Sequence, residues 1–395
     1  MKVISQQHSL NVRNLTEAFE LIRKAIASGY PIATWRLPNT TDVTTLISLQ
    51  TPEHLKGQQF ENLTDCFLIN PYRVNHPINP LVLKGDIMIH FNSDKVSCQI
   101  NPRVTSSEIE EFLLKSDGQK NASGKYERQS HTSDYREIVK EAVERILQGE
   151  MDKVVLSRFA DFDLDTDFDL LDTFLKLTTK YPSAFCYFAN TEDYGIWMGA
   201  TPERLISLRD NQYFATDALA GTQTVEEDQS LSDIAWTQKE IEEQAMVSRY
   251  VIDCFKTIRL RAFDEVGPKT IKAGNLAHLK TSFTVDMEAT NYPNLGSTML
   301  ELLHPTSAVC GYPRNKANSF ISAHEAYDRG LYAGFLGPVG ISQSSDLFVN
   351  LRCMQIKGKK ARLFAGAGIT ADSNPEKEFI ETENKMHTLL SVIKS

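Results

Sequence analysis

The sequence predicts a fold of mixed helices and strands, on three observations. Apolar residues recur at helical spacing in several stretches. They form short strand-like runs in others. The two kinds alternate through the C-terminal third. A length of 395 residues suggests two or three domains, although single large α/β or β domains reach the same size. The 41% hydrophobic and 24% charged content is that of an ordinary globular chain.

The elements follow in order. Thr16 to Ser28 reads as an amphipathic helix, and Leu81 to Ile100 as strands separated by turns. Residues 1–114 as a whole read as mixed helix and strand with little chemistry. Lys115 to Asp134 is polar and Gly/Ser-rich, a linker or a long surface loop. From Ser133, Tyr135, Ile138, Val139, Ala142, Val143, Ile146 and Leu147 recur at helical spacing up to Gly149. A strand follows over 153–159. Alternation places Lys153, Val155 and Ser157 on one face and Val154, Leu156 and Arg158 on the other. Next come a helix near Asp167–Lys180 and strands near Ala184–Asn190, Gly195–Gly199 and Arg204–Leu208. Ser232 to Phe263 reads as one long helix, with Ile241, Ala245, Val251, Ile252, Phe255 and Ile258 on its buried side. Near the C-terminus an apolar strand runs into a small-residue turn, Gly366-Ala367-Gly368. A polar loop leads to a helix with Asn374 as N-cap and Pro375 as its first residue.

Bulk properties exclude some partners. A net charge of -9 argues against nucleic acid and anionic membranes, so an anionic substrate would need local help from Arg, Lys or a metal. The first residues lack the apolar core of a signal peptide. No run reaches the roughly 18 apolar residues of a membrane helix. Six scattered cysteines without a C-x-x-C pair favour reduced thiols and a cytoplasmic setting.

Several residues could carry chemistry. Glu378, Glu381 and Lys385 share one face of the last helix. Beside a bare-backbone turn, they suit a small anion held through a divalent cation. Gly366-Ala-Gly368-Ile-Thr-Ala371 also fits a dinucleotide fingerprint. That motif needs a second strand and an acidic residue about 20 positions on, and only one helix follows. Glu240 and Glu243 repeat the three-residue spacing on the long helix. Two facing helices with such pairs can hold Mg²⁺, although either pair alone is more commonly a solvated acidic face. Lys153 is either a strand-end lysine snorkelling to water or a general base, which burial or a nearby cation would have to prepare. Glu203 either pairs with Arg204, faces solvent, or is a general acid in a dry pocket. Gly221 and Thr222 offer close approach to a ligand, and His278 alone proves little. Ala308 and Val309, in the turn-rich loop from His304 to Pro313, could wall a pocket. Arg352, at the end of the strand Phe348-Val-Asn-Leu-Arg, could clamp a carboxylate.

The order of these signals is more specific than any one of them. MDKVVLSR, GATPERL, ALAGT, LLHPTSAVCGYP, DRGLYAGFLGPVG, LRC and LFAGAGITADSNPEKEFIETENK together resemble the chorismate-utilising enzymes. That family includes isochorismate, salicylate, anthranilate and aminodeoxychorismate synthases. The resemblance covers residues 131–395. It is diffuse over 1–130, a region that in this family helps build the same single domain. It implies an α+β fold of antiparallel sheets packed face to face with helices outside. It implies Mg²⁺ on Glu243 and Glu381, with Glu240 and Glu378 alongside. Lys153 matches the base that activates water, and Glu203 the acid that protonates the departing hydroxyl. Arg352, Lys385 and the backbone at Gly366–Gly368 match carboxylate-binding positions. Gly221, Thr222 and His278 match residues lining the ring pocket.

Within the family, Lys153 and the loop at His304 point to the branch that converts chorismate reversibly to isochorismate, for menaquinone or siderophore synthesis. The ammonia-using branches lack lysine at this position. The salicylate-forming branch shares it and is the nearest alternative. A non-catalytic chorismate-binding protein is the remaining one. No glutaminase partner is expected, and nothing in the sequence demands more than a monomer. Two positions depart from the pattern: Gln244 stands where relatives often have His, and Ser307 where proline is common.

Overall fold

The computed structural model describes residues 10, 12–57, 59–73, 78–115, 134–225, 230–273 and 276–393. The stretch predicted as a linker or loop near 115–134 lies almost wholly outside them.

Two large sheets dominate, and every pairing between their strands is antiparallel among the described residues. The first has ten strands. In spatial order they are Gly311–Tyr312, Lys153–Asp163, Lys360–Ile369, Cys353–Lys357, Gly195–Thr201, Phe185–Thr191, Ile32–Arg36, Val43–Ile47, Ile87–Phe91 and Val96–Ile100. The second has nine: Asp264–Ala273, Leu276–Asp286, Tyr213–Thr224, Arg204–Arg209, Ser345–Val349, Phe335–Val339, Cys66–Asn70, Leu81–Lys84 and Glu53–His54. Strands from before residue 101 thus extend both sheets.

The packing explains why so many strands are apolar throughout. One core cluster lies between the sheets, joining Trp35, Tyr187 and Trp197 of the first to Phe67, Leu205 and Phe348 of the second. Phe185 stacks on Phe348 across the gap, with centroids 4.2 Å apart. A second cluster covers the outer face of the first sheet with helices Leu15–Ala27, Leu170–Lys180 and Pro375–Ile393. Helices Gln238–Thr257 and Leu295–Leu303 cover the second sheet. A strand buried on both faces shows no polar alternation, so its residues are apolar on both sides. The α+β architecture with face-to-face sheets is the one expected.

Three local expectations need correction. The long helix is shorter, Gln238–Thr257. Its start is set by Thr237, whose backbone N–H and hydroxyl donate to Glu240 Oε2 at 2.7 and 2.8 Å. It ends where Arg259 turns left-handed (φ 59°), with Leu260 N donating to Phe255 O at 2.9 Å. That closure is usually made by glycine, so the sequence showed no stop. Ile241 and Ala245 are exposed, and the buried stripe is Gln244, Val247, Tyr250, Val251, Cys254 and Phe255. Second, Gly366-Ala367-Gly368 is no turn; the strand Lys360–Ile369 runs straight through it. Third, the strand before Arg352 stops at Val349, and Arg352 lies in a link with φ 48°.

The strand beginning at Lys153 is fixed with particular care. It pairs with Lys360–Ile369, bringing Val155 opposite Gly368 and Ser157 opposite Gly366. A buried ion pair, Arg329 to Glu325 at 2.6 Å, clamps its other side. Arg329 also donates to Val155 O at 2.8 Å and Val309 O at 2.9 Å, while Ser157 N donates to Glu325 Oε1 at 2.7 Å.

Removing one member of a buried pair leaves an uncompensated charge. Glu325→Ala is therefore expected to cost about 3–5 kcal/mol of unfolding free energy, measured by urea denaturation. A loss under about 1 kcal/mol, the range of exposed pairs, would mean that Arg329 finds water.

Candidate active site

The residues singled out in the sequence come mostly from the two sheets, the links between their strands, and the helices Gln238–Thr257 and Pro375–Ile393. The strand Lys153–Asp163 delivers Lys153, whose side chain is fully buried. Its Nζ donates to Glu243 Oε1 at 2.7 Å. Glu243 comes from the helix packed on the second sheet, so this ion pair ties one half of the sandwich to the other. Gly368 lies against the pair. A Cβ there would stand 2.6 Å from Glu243 Oε1 and 3.0 Å from Lys153 Cε. At Gly366 a Cβ would stand 2.8 Å from the Tyr332 hydroxyl oxygen. The two glycines are thus needed for space in a flat strand.

Three lysines each hold one glutamate. Lys153 holds Glu243, Lys385 holds Glu381 at 2.5 Å, and Lys239 holds Glu378 at 2.5 Å. Lys385 also donates to Gly366 O at 2.9 Å. Burial opposes the Glu243 charge, but Lys153, then Lys385 and Lys239, outweigh it and keep its carboxyl below the usual range. Glu378 goes the other way. Burial first, and then the charge of Glu381, push its carboxyl up despite Lys239. The Ser373 hydroxyl adds a smaller pull toward the charged form, and the buried Glu378 Oε2 is without a hydrogen-bond partner.

Glu203 occupies the two-residue link between Gly195–Thr201 and Arg204–Arg209. Arg204 is paired with Asp217 at 3.0 Å, which leaves Glu203 free of it. Burial pushes the Glu203 carboxyl up to about 7, against the pull of Lys153 and a long 3.4 Å bond from the Thr306 hydroxyl. Arg352 is buried, and its guanidinium makes no hydrogen bond or ion pair among the described residues. Burial lowers its guanidinium to about 10, while Glu381 and Glu203 act to raise it. A carbonyl bond pins its backbone, with Ala200 N donating to Arg352 O at 3.0 Å.

His278 is also buried. Burial, helped by the charge of Arg352, holds its imidazole down at about 3, so the ring is neutral. Nδ1 donates to Gly221 O at 2.8 Å and lies 3.3 Å from the Thr222 hydroxyl, which leaves Nε2 as a buried acceptor without a partner. Gly221 is left-handed (φ 72°), a backbone that suits glycine. Val309 is buried and Ala308 partly so, in the loop that carries Thr306.

Other predicted positions have different surroundings. Glu240 Oε2 is committed to the helix cap and accepts from Gln223 Nε2 at 2.9 Å. Gln244 donates to Ala218 O at 3.2 Å and to the Thr281 hydroxyl at 3.0 Å, fastening the helix to the second sheet. Ser307 Oγ is buried without a partner. Lys239 was not singled out, although its place four residues before Glu243 puts both on one helix face.

Among the described residues no group of three or more His, Cys, Asp or Glu stands close enough to hold a metal ion. The donor chemistry nevertheless fits a hard divalent cation. Carboxylate oxygens from two helices share a neighbourhood, one buried oxygen lacks a partner, and each carboxylate already sits against a cation. Chemically the arrangement offers a buried amine, a carboxyl that keeps its proton to near neutral pH, an unpaired guanidinium and a carboxylate cluster.

Gly368→Ala is expected to force Glu243 aside at a cost of about 1–3 kcal/mol, the usual range for overpacking. Thermal unfolding measures it, and an unchanged midpoint would show that the pair yields freely.

Known proteins share this chain's pattern. The family model described as chorismate binding enzyme matches residues 72–394. Isochorismate synthase EntC of Escherichia coli is 30% identical over 263 residues, 65% of this chain and 66% of that protein. Anthranilate synthase component 1 of Lactococcus lactis is 34% identical over 269 residues, 65% of this chain and 57% of that protein. The matched stretch thus spans less than two thirds of either relative's length. Among solved structures, MenF, the menaquinone-specific isochorismate synthase of Escherichia coli, superposes with a TM-score of 0.74 at 22% identity, covering 94% of this chain and 91% of that one. This last likeness concerns the fold.

Proposed function

The chain belongs to the chorismate-binding enzyme family, and from that membership we propose that it is an isochorismate synthase, converting chorismate reversibly to isochorismate with Mg²⁺. The observation that carries this reading is an acid and a base in one buried site. Glu203 is held at about 7 and feels the charge of Lys153, the fully buried amine.

Chorismate is a dianion, and the unpaired Arg352 gives one carboxylate a bidentate partner. Lys385 adds a second cation. Glu243 and Glu381, with Glu378 beside them and Glu240 at the helix cap, would hold Mg²⁺. Bound there, it would bind a substrate carboxylate and make the ring carbon more electrophilic. Lys153, once Glu243 turns from it and the ammonium has released its proton to solvent, takes a proton from the water that adds at ring C2. The C4 hydroxyl departs as water, protonated by Glu203, so one water enters and one leaves. Neutral His278 offers Nε2 to a substrate hydroxyl, and Gly221, Thr222, Ala308 and Val309 line the ring pocket. Two titratable groups pushed to different tasks are what such chemistry needs.

The direct test is incubation with chorismate and Mg²⁺, with products separated by chromatography. Isochorismate is expected. Salicylate as the main product, or anthranilate when ammonium is supplied, would replace this reading with another branch of the family. Lys153→Gln is expected to lower kcat by about 10²–10⁴-fold, the range for a lost general base, while chorismate still binds.

Glu203 must carry its proton to serve as the acid. Forward kcat should therefore fall as pH rises through about 7, and Glu203→Gln should lose turnover at every pH. A parent profile flat from pH 6 to 8 would remove Glu203 from the role. Glu381→Ala should weaken the Mg²⁺ requirement and chorismate binding together, and an unchanged metal dependence would take Glu381 out of the site.

A further inference from the structure

Lys239, which the proposed mechanism does not use, stands between the glutamates and a surface cavity. On one side its Nζ donates to Glu378 Oε1 at 2.5 Å. The charges of Glu381 and Glu243 reach it as well. Glu378 has only 2% of its side chain exposed, and its other oxygen is buried without a partner. On the other side Lys239 lines a surface cavity of about 460 Å³. Asp152, Glu242 and Asp372 line the same cavity, as does Arg249. The lysine thus lines the cavity while it holds Glu378, and it is partly exposed at 28%.

We propose that Lys239 is a displaceable internal cation: it occupies the approach to the glutamates, and a divalent cation takes its place while the ammonium swings into the cavity toward Glu242 and Asp372. This rests on the metal reading above. The stereochemistry favours it. A single ammonium on a flexible four-carbon stem can leave one carboxylate for another within a side chain's reach. Its departure exposes Glu378 Oε1 beside an oxygen that already lacks a donor. The like charges that crowd Glu378 and Glu381 are better met by a doubly charged ion than by one amine. Lys239 is accordingly a positioning residue, acting through Glu378.

The test is Mn²⁺ binding to the full chain without substrate, followed by electron paramagnetic resonance of the free ion. Lys239→Met should bind Mn²⁺ about tenfold more tightly than the parent, the equivalent of ~1.4 kcal/mol. Arg249→Met removes a cation from the same cavity that does not touch Glu378, and should change affinity less than about twofold, within ~0.4 kcal/mol. In the Glu378→Gln background the Lys239→Met gain should vanish. Thermal unfolding without metal confirms that each variant is folded, with Lys239→Gln as a second substitution should the methionine variant fail. Unchanged or weaker binding by both Lys239 variants would overturn the proposal and leave the metal site standing. Equal gains from Lys239→Met and Arg249→Met would reduce Lys239 to diffuse charge and overturn it too. Absence of Mn²⁺ binding in parent and variants alike would overturn both the proposal and the metal reading.

Discussion

The buried ion pair between Lys153 and Glu243 is the interaction on which the site depends. It joins a strand of one sheet to a helix resting on the other. Two charges cannot be buried cheaply unless each faces the other in good geometry. That requirement extends outward. Gly368 must lack a side chain, or the pair has no room. Arg329 and Glu325 must hold the strand that carries Lys153. Gln244, next to Glu243, must fasten the helix to the second sheet.

The same logic governs the electrostatics around it. An acidic chain with a net charge of -9 has to gather cations where an anion is to bind. Here it does so by pairing glutamates with lysines one to one and leaving Arg352 unpaired. Burial then separates the tasks of the remaining groups. It keeps Glu203 protonated to about 7 and His278 neutral, although the two lie in one electrostatic neighbourhood. The site resembles a set of charges waiting to be exchanged more than a preformed cage.

Much of the fold was legible because its causes are local. The helices near residues 16–28, 135–147 and 170–180 follow from apolar periodicity and their N-caps, and Asn374 and Pro375 do open the last helix. Failures arose where a distant neighbour replaced the local signal. The long helix stops at a left-handed Arg259, where no glycine marks the stop. Gly366 and Gly368 mimic a turn in sequence. In the structure they are strand residues whose missing side chains admit Tyr332, Lys153 and Glu243. Ile241 and Ala245 fit a helical stripe but face outward, because the helix is oriented by Glu243 and Gln244 turning inward.

By itself the sequence determined the elements, the acidic balance and the ordered motifs that mark the family, since those are properties of neighbouring residues and of composition. It named Lys153, Glu203, Glu243, Glu381 and Arg352 as candidates without deciding what each faces. Only the tertiary structure decided that Lys153 meets Glu243, that Arg204 turns to Asp217 and leaves Glu203 alone, and that Lys239 covers Glu378. These pairings join residues 90, 13 and 139 positions apart. They follow from packing two sheets and their helices together, and no local periodicity encodes which charge a buried charge will meet.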